Sequence, residues 1–166
     1  MMNIMSDQPQ NKKLKPFVIA LIMIGATLLI GIIGSLIGGK MSDNYVQPPL
    51  SPADWVFPVV WTINYIAIGF AAFLTFQANQ VAARRRNDII WYGVHLFFNL
   101  LWPLFFFRLN LLAFSIFWLA LNIVSAIIVA CRFYKSYLGA GIIIIVYIMW
   151  LFYAFYLNCG VMVLNI

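Results

Sequence analysis

The stretch 47–65, QPPLSPADWVFPVVWTINY, decides the architecture of this chain. Pro48, Pro49 and Pro52 exclude helix, because each ring fixes φ and keeps the preceding residue out of the α region. Ser51 or Asp54 is placed to cap a new helix by accepting bonds from its first free N–H groups. Pro58 falls in the first turn, where a missing N–H costs little. From Trp55 onward a long apolar run begins. The stretch therefore reads as a stiff loop that delivers Trp55, Trp61 and Tyr65 to the head of a membrane helix. Trp61 and Tyr65, one helical turn apart, share a face.

Outside this stretch the composition agrees. A chain that is 65% hydrophobic and 8% charged, with mean hydropathy +0.98, excludes a soluble globular domain. Its 166 residues suffice for about five spans of roughly twenty residues each. The expected fold is an all-α membrane protein: a five-transmembrane-helix bundle with a proline-rich loop between helices one and two. Residues 1–166 form one membrane domain, with spans at about 17–38, 55–79, 89–107, 111–131 and 137–163. The run from Phe17 follows Lys12, Lys13 and Lys15 as in a signal peptide, but it is too long and has no A-x-A-like cleavage site. Gly34/Gly38 and Ser35/Gly39 within it suit close packing against a neighbouring span.

The net charge of +6 would point to nucleic acid in a soluble protein. Here the cations flank apolar runs, so the charge reports membrane topology, with no nucleic-acid partner. With a cytoplasmic N-terminus, Lys12, Lys13, Lys15, Arg84, Arg85, Arg86, Arg132 and Lys135 lie inside, and only Lys40 and Arg108 outside. That bias sets the N-terminus cytoplasmic and the C-terminus outside. Cys131 and Cys159 fall in apolar spans and read as buried, inert thiols.

Polar groups in hydrocarbon are costly and normally face the bundle interior. Span two carries Trp61, Tyr65 and Gly69 at helical spacing; span three carries Trp91, His95, Asn99 and Trp102. Span four has Ser115, Trp118, Asn122 and Ser125, and span five Tyr147, Trp150, Ala154 and Asn158. Two readings fit. Aromatic faces with a few amides and hydroxyls suit a flat, largely apolar ligand. Equally, Asn and Ser bond between helices while Trp and Tyr anchor at the interface. No Asp or Glu is expected within a span, which argues against a carboxylate-driven proton-coupled exporter. No Cys/His spacing suggests a metal site. His95, the single histidine, reads as a hydrogen-bonded core residue and not an iron ligand.

Three ordered segments resemble signatures of the TspO/MBR family, the bacterial tryptophan-rich sensory proteins and the mitochondrial translocator protein or peripheral benzodiazepine receptor. They are QPPLSPADWVFPVVWTINYIAIG, HLFFNLLWPLFF and YIMWLFYAFYLN, running from Gln47, His95 and Tyr147. The resemblance implies a five-helix bundle in a bacterial cell membrane, usually a homodimer, with a pocket beneath loop one for a porphyrin or haem-type tetrapyrrole or a related small apolar ligand. It implies no resident cofactor. Carried over by position, the ligand-binding set is Trp61, Tyr65, His95, Asn99, Trp102, Tyr147, Trp150 and Asn158. Trp61 and Trp150 match the tryptophans associated with light-dependent porphyrin breakdown, and would be catalytic if that activity occurs. The family pattern is broken by Ala53, Asn64 and Pro103, by His95 where Gln is usual, and by Val146 where Pro precedes the tyrosine.

Overall fold

The computed structural model describes residues 15–39, 45–78 and 81–165. Lys12, Lys13, Lys40, Asn79 and Gln80, which entered the charge and boundary readings, lie outside them. Among the described residues, five helices are long and apolar enough to cross a membrane. They are α1 (Pro16–Gly38), α2 (Val56–Ala78), α3 (Ala82–Pro103), α4 (Leu112–Ser136) and α5 (Leu138–Leu164). Neighbours in space follow the ring α1–α2–α5–α4–α3 and back to α1, so every helix packs on two others around a shared interior.

Small residues set the closest approaches. A Cβ on Gly69 would lie 2.7 Å from the Ile24 Cα, and one on Gly38 would lie 2.6 Å from the Pro103 Cβ. Gly31 leaves room for the ring of Tyr65, and Gly34 meets the backbone of Leu100. Gly31, Gly34 and Gly38 thus seat α1 in the groove between α2 and α3, as expected of Gly34/Gly38. The expectation for Ser35/Gly39 is corrected: both are exposed, and nothing packs against Gly39. Gly69, placed with the aromatic stripe of α2, instead serves this α1 contact.

Several boundaries differ from expectation, each for a local reason. Helix α3 starts at Ala82, so Arg84, Arg85 and Arg86 are helical and Asp88 lies within the span. Asp88 is tolerated there because Arg132 Nε donates to it at 2.9 Å and the Ser136 hydroxyl at 3.2 Å. The expectation of no acidic residue within a span is corrected by this pair. Helix α4 continues through Arg132 and Lys135. Beyond Pro103, which has no N–H to offer Asn99, the chain widens into π-helix over Leu104–Arg108, with Leu109 N–H donating to Leu104 O at 2.9 Å. Asn110, at φ 51°, then turns the chain into α4.

The thiols also depart from expectation: Cys131 is exposed and Cys159 half-buried, both free. With Val146 in place of proline, α5 runs unbroken for 27 residues. At the head of α2, neither proposed cap is used. Ser51 donates instead to Pro48 O at 2.8 Å inside the loop, Asp54 is exposed, and a turn from Ala53 to Val56 opens the helix. Trp55 precedes the helix and is exposed, so it does not join the interior.

Candidate functional site

The interior is held by one amide. Asn99 on α3 accepts a hydrogen bond from the Tyr65 hydroxyl of α2 at 2.8 Å, and its amide nitrogen donates to the Tyr147 hydroxyl of α5 at 2.5 Å. All three side chains are buried. The spacing that put Tyr65, Asn99 and Tyr147 on inward faces therefore also brings them into contact. Trp61, half-buried one turn from Tyr65, packs its ring against Tyr65, Trp102 and Tyr147 at centroid distances of 5.8, 6.1 and 6.5 Å. Trp102 in turn stacks on Phe106 at 5.3 Å.

His95 sits one turn below Asn99, fully buried and edge-on to Tyr147 at 5.4 Å. Its Nδ1 lies 3.0 Å from Ser125 Oγ, while that hydroxyl donates to Asn122 O at 2.7 Å. A serine has one proton to give, so Nδ1–H is the donor to Ser125, and Nε2 carries the free lone pair. Among the described residues Nε2 has no hydrogen-bond partner. The same holds for the buried Trp102 Nε1, Asn122 Oδ1 and Trp150 Nε1, and for groups on Asn64, Thr75 and Asn158. Leaving a buried polar group unpaired costs about 1–3 kcal/mol. Two of them, His95 Nε2 and Trp102 Nε1, belong to the aromatic cluster around the bridge, while Thr75 lies toward the far end of α2.

Two predicted site residues lie apart from the bridge. Asn158 is buried between α5 and α4, where its Oδ1 lies 3.0 Å from Ser115 Oγ. Trp150 packs on Phe57 at 6.0 Å and on Tyr153 at 5.2 Å, toward the loop. Trp118 is tied to α3 by a bond from its indole N–H to Phe98 O at 2.8 Å.

The proline loop closes this end of the bundle, anchored on α5 by residues the sequence reading missed. The Tyr153 hydroxyl donates to Leu50 O at 2.6 Å, and that of Tyr156 to Pro49 O at 2.8 Å. Asn165 bonds both backbone groups of Val46, at 2.8 and 3.0 Å. Pro48 is buried against Gly160, whose missing side chain makes the contact possible. Leu50 holds φ 64°, a region costly for a residue with a Cβ, and its carbonyl is the one Tyr153 grips. The signal available in sequence was the tyrosine pair at i, i+3 near the end of span five.

Five membrane-crossing helices around a tyrosine–asparagine–tyrosine bridge, roofed by a proline loop, define a membrane bundle with an aromatic interior. The TspO/MBR family profile matches residues 19–164, and the chain belongs to that family. It is similar to the tryptophan-rich protein TspO of Chlorobaculum tepidum, 31% identical over 91 residues. That match covers 52% of this chain and 58% of the relative, so the chain spans little more than half the relative's length.

If Asn99 is the joint of the core, Asn99→Leu should cost more than either tyrosine change, because it strands two buried hydroxyls. Tyr65→Phe and Tyr147→Phe should each destabilise by about 0.6–1.7 kcal/mol, the range of single interhelical bonds in membranes. Combining both Phe changes with Asn99→Leu should be milder than the three effects added. Thermal unfolding of the purified protein in detergent checks this; strict additivity would show that the three groups do not act as a unit.

Proposed function

We propose that this protein is a tetrapyrrole-binding membrane sensor or carrier, taking a flat aromatic ligand among Trp61, Tyr65, His95, Asn99, Trp102, Tyr147 and Trp150 beneath loop one. The observation that carries the reading is the pair of buried hydrogen-bonding atoms, His95 Nε2 and Trp102 Nε1, unpartnered among the described residues within one aromatic cluster, with Trp150 Nε1 likewise unpartnered nearer the loop. A porphyrin supplies both an extended π face for the rings and polar edge groups for such atoms. Membership of the TspO/MBR family supports it. Asn158, bonded near Ser115, contributes at the rim of the site or only to α4–α5 packing.

A second reading, light-driven porphyrin breakdown, is favoured by one feature: the Trp61 indole touches both tyrosines of the bridge. Trp61 and Trp150 would then be catalytic. The functional unit is proposed as a homodimer, one membrane domain per chain, in a bacterial cell membrane.

Titrating the detergent-solubilised protein with protoporphyrin should give saturable tryptophan quenching; purely linear quenching would remove the binding reading. His95→Gln keeps a donor and an acceptor, so affinity should stay within a few-fold, roughly under 1 kcal/mol. Trp61→Phe should keep most of the binding. If breakdown occurs in the parent under illumination, that variant should lose it, and an unchanged decay of absorbance would exclude the catalytic role of Trp61.

The orientation proposed is N-terminus cytoplasmic, C-terminus outside. Among the described residues, Lys15, Arg84, Arg85, Arg86, Arg132 and Lys135 cluster at one end of the bundle and Arg108 at the other. In a background free of Cys131 and Cys159, an impermeant thiol reagent should label Leu50→Cys on intact cells, and Arg86→Cys only after permeabilisation. The opposite pattern would invert the topology.

A further inference from the structure

At the end of the bundle away from the proline loop, a cleft of about 200 Å³ opens between the start of α3 and the end of α4. Its lining is Arg84 and Asp88 from α3, with Cys131, Arg132 and Lys135 from α4. Three cations meet one carboxylate. Asp88, 4% exposed, is already engaged by Arg132 Nε and the Ser136 hydroxyl. That bond uses one of the five guanidinium donors of Arg132 and fixes the fork at the mouth of the cleft. The lining is left with an excess of two positive charges.

Helix electrostatics add to this field. The first turn of α3 has no acidic residue and its N-cap, Val81, has no side-chain cap bond. Arginines instead crowd the positive end of the helix, where an anion is the favoured neighbour. The residues flanking the cleft suit a bilayer surface. Ile89 and Ile90 are exposed just past Asp88, and Tyr134 and Tyr137 are exposed beside Lys135, an aromatic pair suited to the headgroup boundary. The space accommodates several waters or one phosphate group.

We propose that this cleft binds the phosphodiester headgroup of an anionic phospholipid from the surrounding leaflet, with Arg84, Arg132 and Lys135 as its cations. Basic recesses at the ends of membrane helices recognise such headgroups by charge, while the acyl chains stay in the bilayer along the helix flank. The site is separate from the aromatic interior and does not depend on what binds there.

The test is native mass spectrometry of the full chain released from detergent, with dioleoyl phosphatidylglycerol or dioleoyl phosphatidylcholine titrated in. Phosphatidylglycerol should bind about ten-fold tighter. The exposed pair Arg84→Gln/Lys135→Gln should bring that ratio to within about two-fold, with phosphatidylcholine binding retained as the sign of an intact fold. The control pair Lys15→Gln/Arg86→Gln removes as much charge outside the cleft and should leave the ratio in place. Equal loss in both pairs would show a diffuse surface field, and equal affinity for the two lipids in the parent would remove the site. Displacement of phosphatidylglycerol by an equal concentration of inorganic phosphate would make it a free-anion site and overturn the lipid assignment.

Discussion

A single carboxamide in a low-dielectric interior joins three of the five helices. Asn99 accepts from Tyr65 and donates to Tyr147, so α2, α3 and α5 keep the rotation and depth that hold both bonds near 2.5–2.8 Å. In hydrocarbon the hydrophobic effect does not discriminate one apolar face from another, so polar contacts and close packing select the arrangement. Other features serve the same joint. Gly31 admits the Tyr65 ring against α1, and the Thr27 and Tyr92 hydroxyls bond across α1 and α3. On the far side His95 and Ser125 bring α4 to the same interior.

Much of this was legible in the chain because membrane helices show their inner faces openly. Polar residues at spacings of three and four on otherwise apolar spans had to point inward, which located Tyr65, His95, Asn99 and Tyr147. The proline stretch before Trp55 marked the loop, and the cations marked one end. Less legible were features that depend on tertiary partners. Asp88 was left outside span three because its stabilising contacts, Arg132 and Ser136, come from another helix. The anchors Tyr153, Tyr156 and Asn165 were missed, since nothing local says that their bonds go to loop backbone. Trp150 and Asn158 share a face of span five with Tyr147, yet drift toward the roof and toward α4, because periodicity sets direction but not depth.

The two ends of the bundle then carry different chemistry. One is basic, with a cleft lined by the part-buried Asp88–Arg132 ion pair. The other is neutral, aromatic and closed. Trp61 fills the space above the bridge, in ring contact with Tyr65, Trp102 and Tyr147, while loop one is fastened to α5 by tyrosine and asparagine bonds and by the Pro48–Gly160 contact. A core that is both unsatisfied in hydrogen bonds and filled by its own rings accepts a flat ligand only if something yields. For the ligand proposed above, the strained Leu50, gripped at its carbonyl by Tyr153, makes the loop the candidate for that part.

The proposed tetrapyrrole site is therefore predicted to admit its ligand only when loop one releases α5. The bonds to remove are those of two hydroxyls: Tyr153→Phe/Tyr156→Phe frees the Leu50 and Pro49 carbonyls from α5. Stopped-flow quenching by protoporphyrin measures entry in the parent and in this variant. The account predicts association at least about three-fold faster in the variant, because the binding-competent population is raised. Equal rates in parent and variant would contradict it.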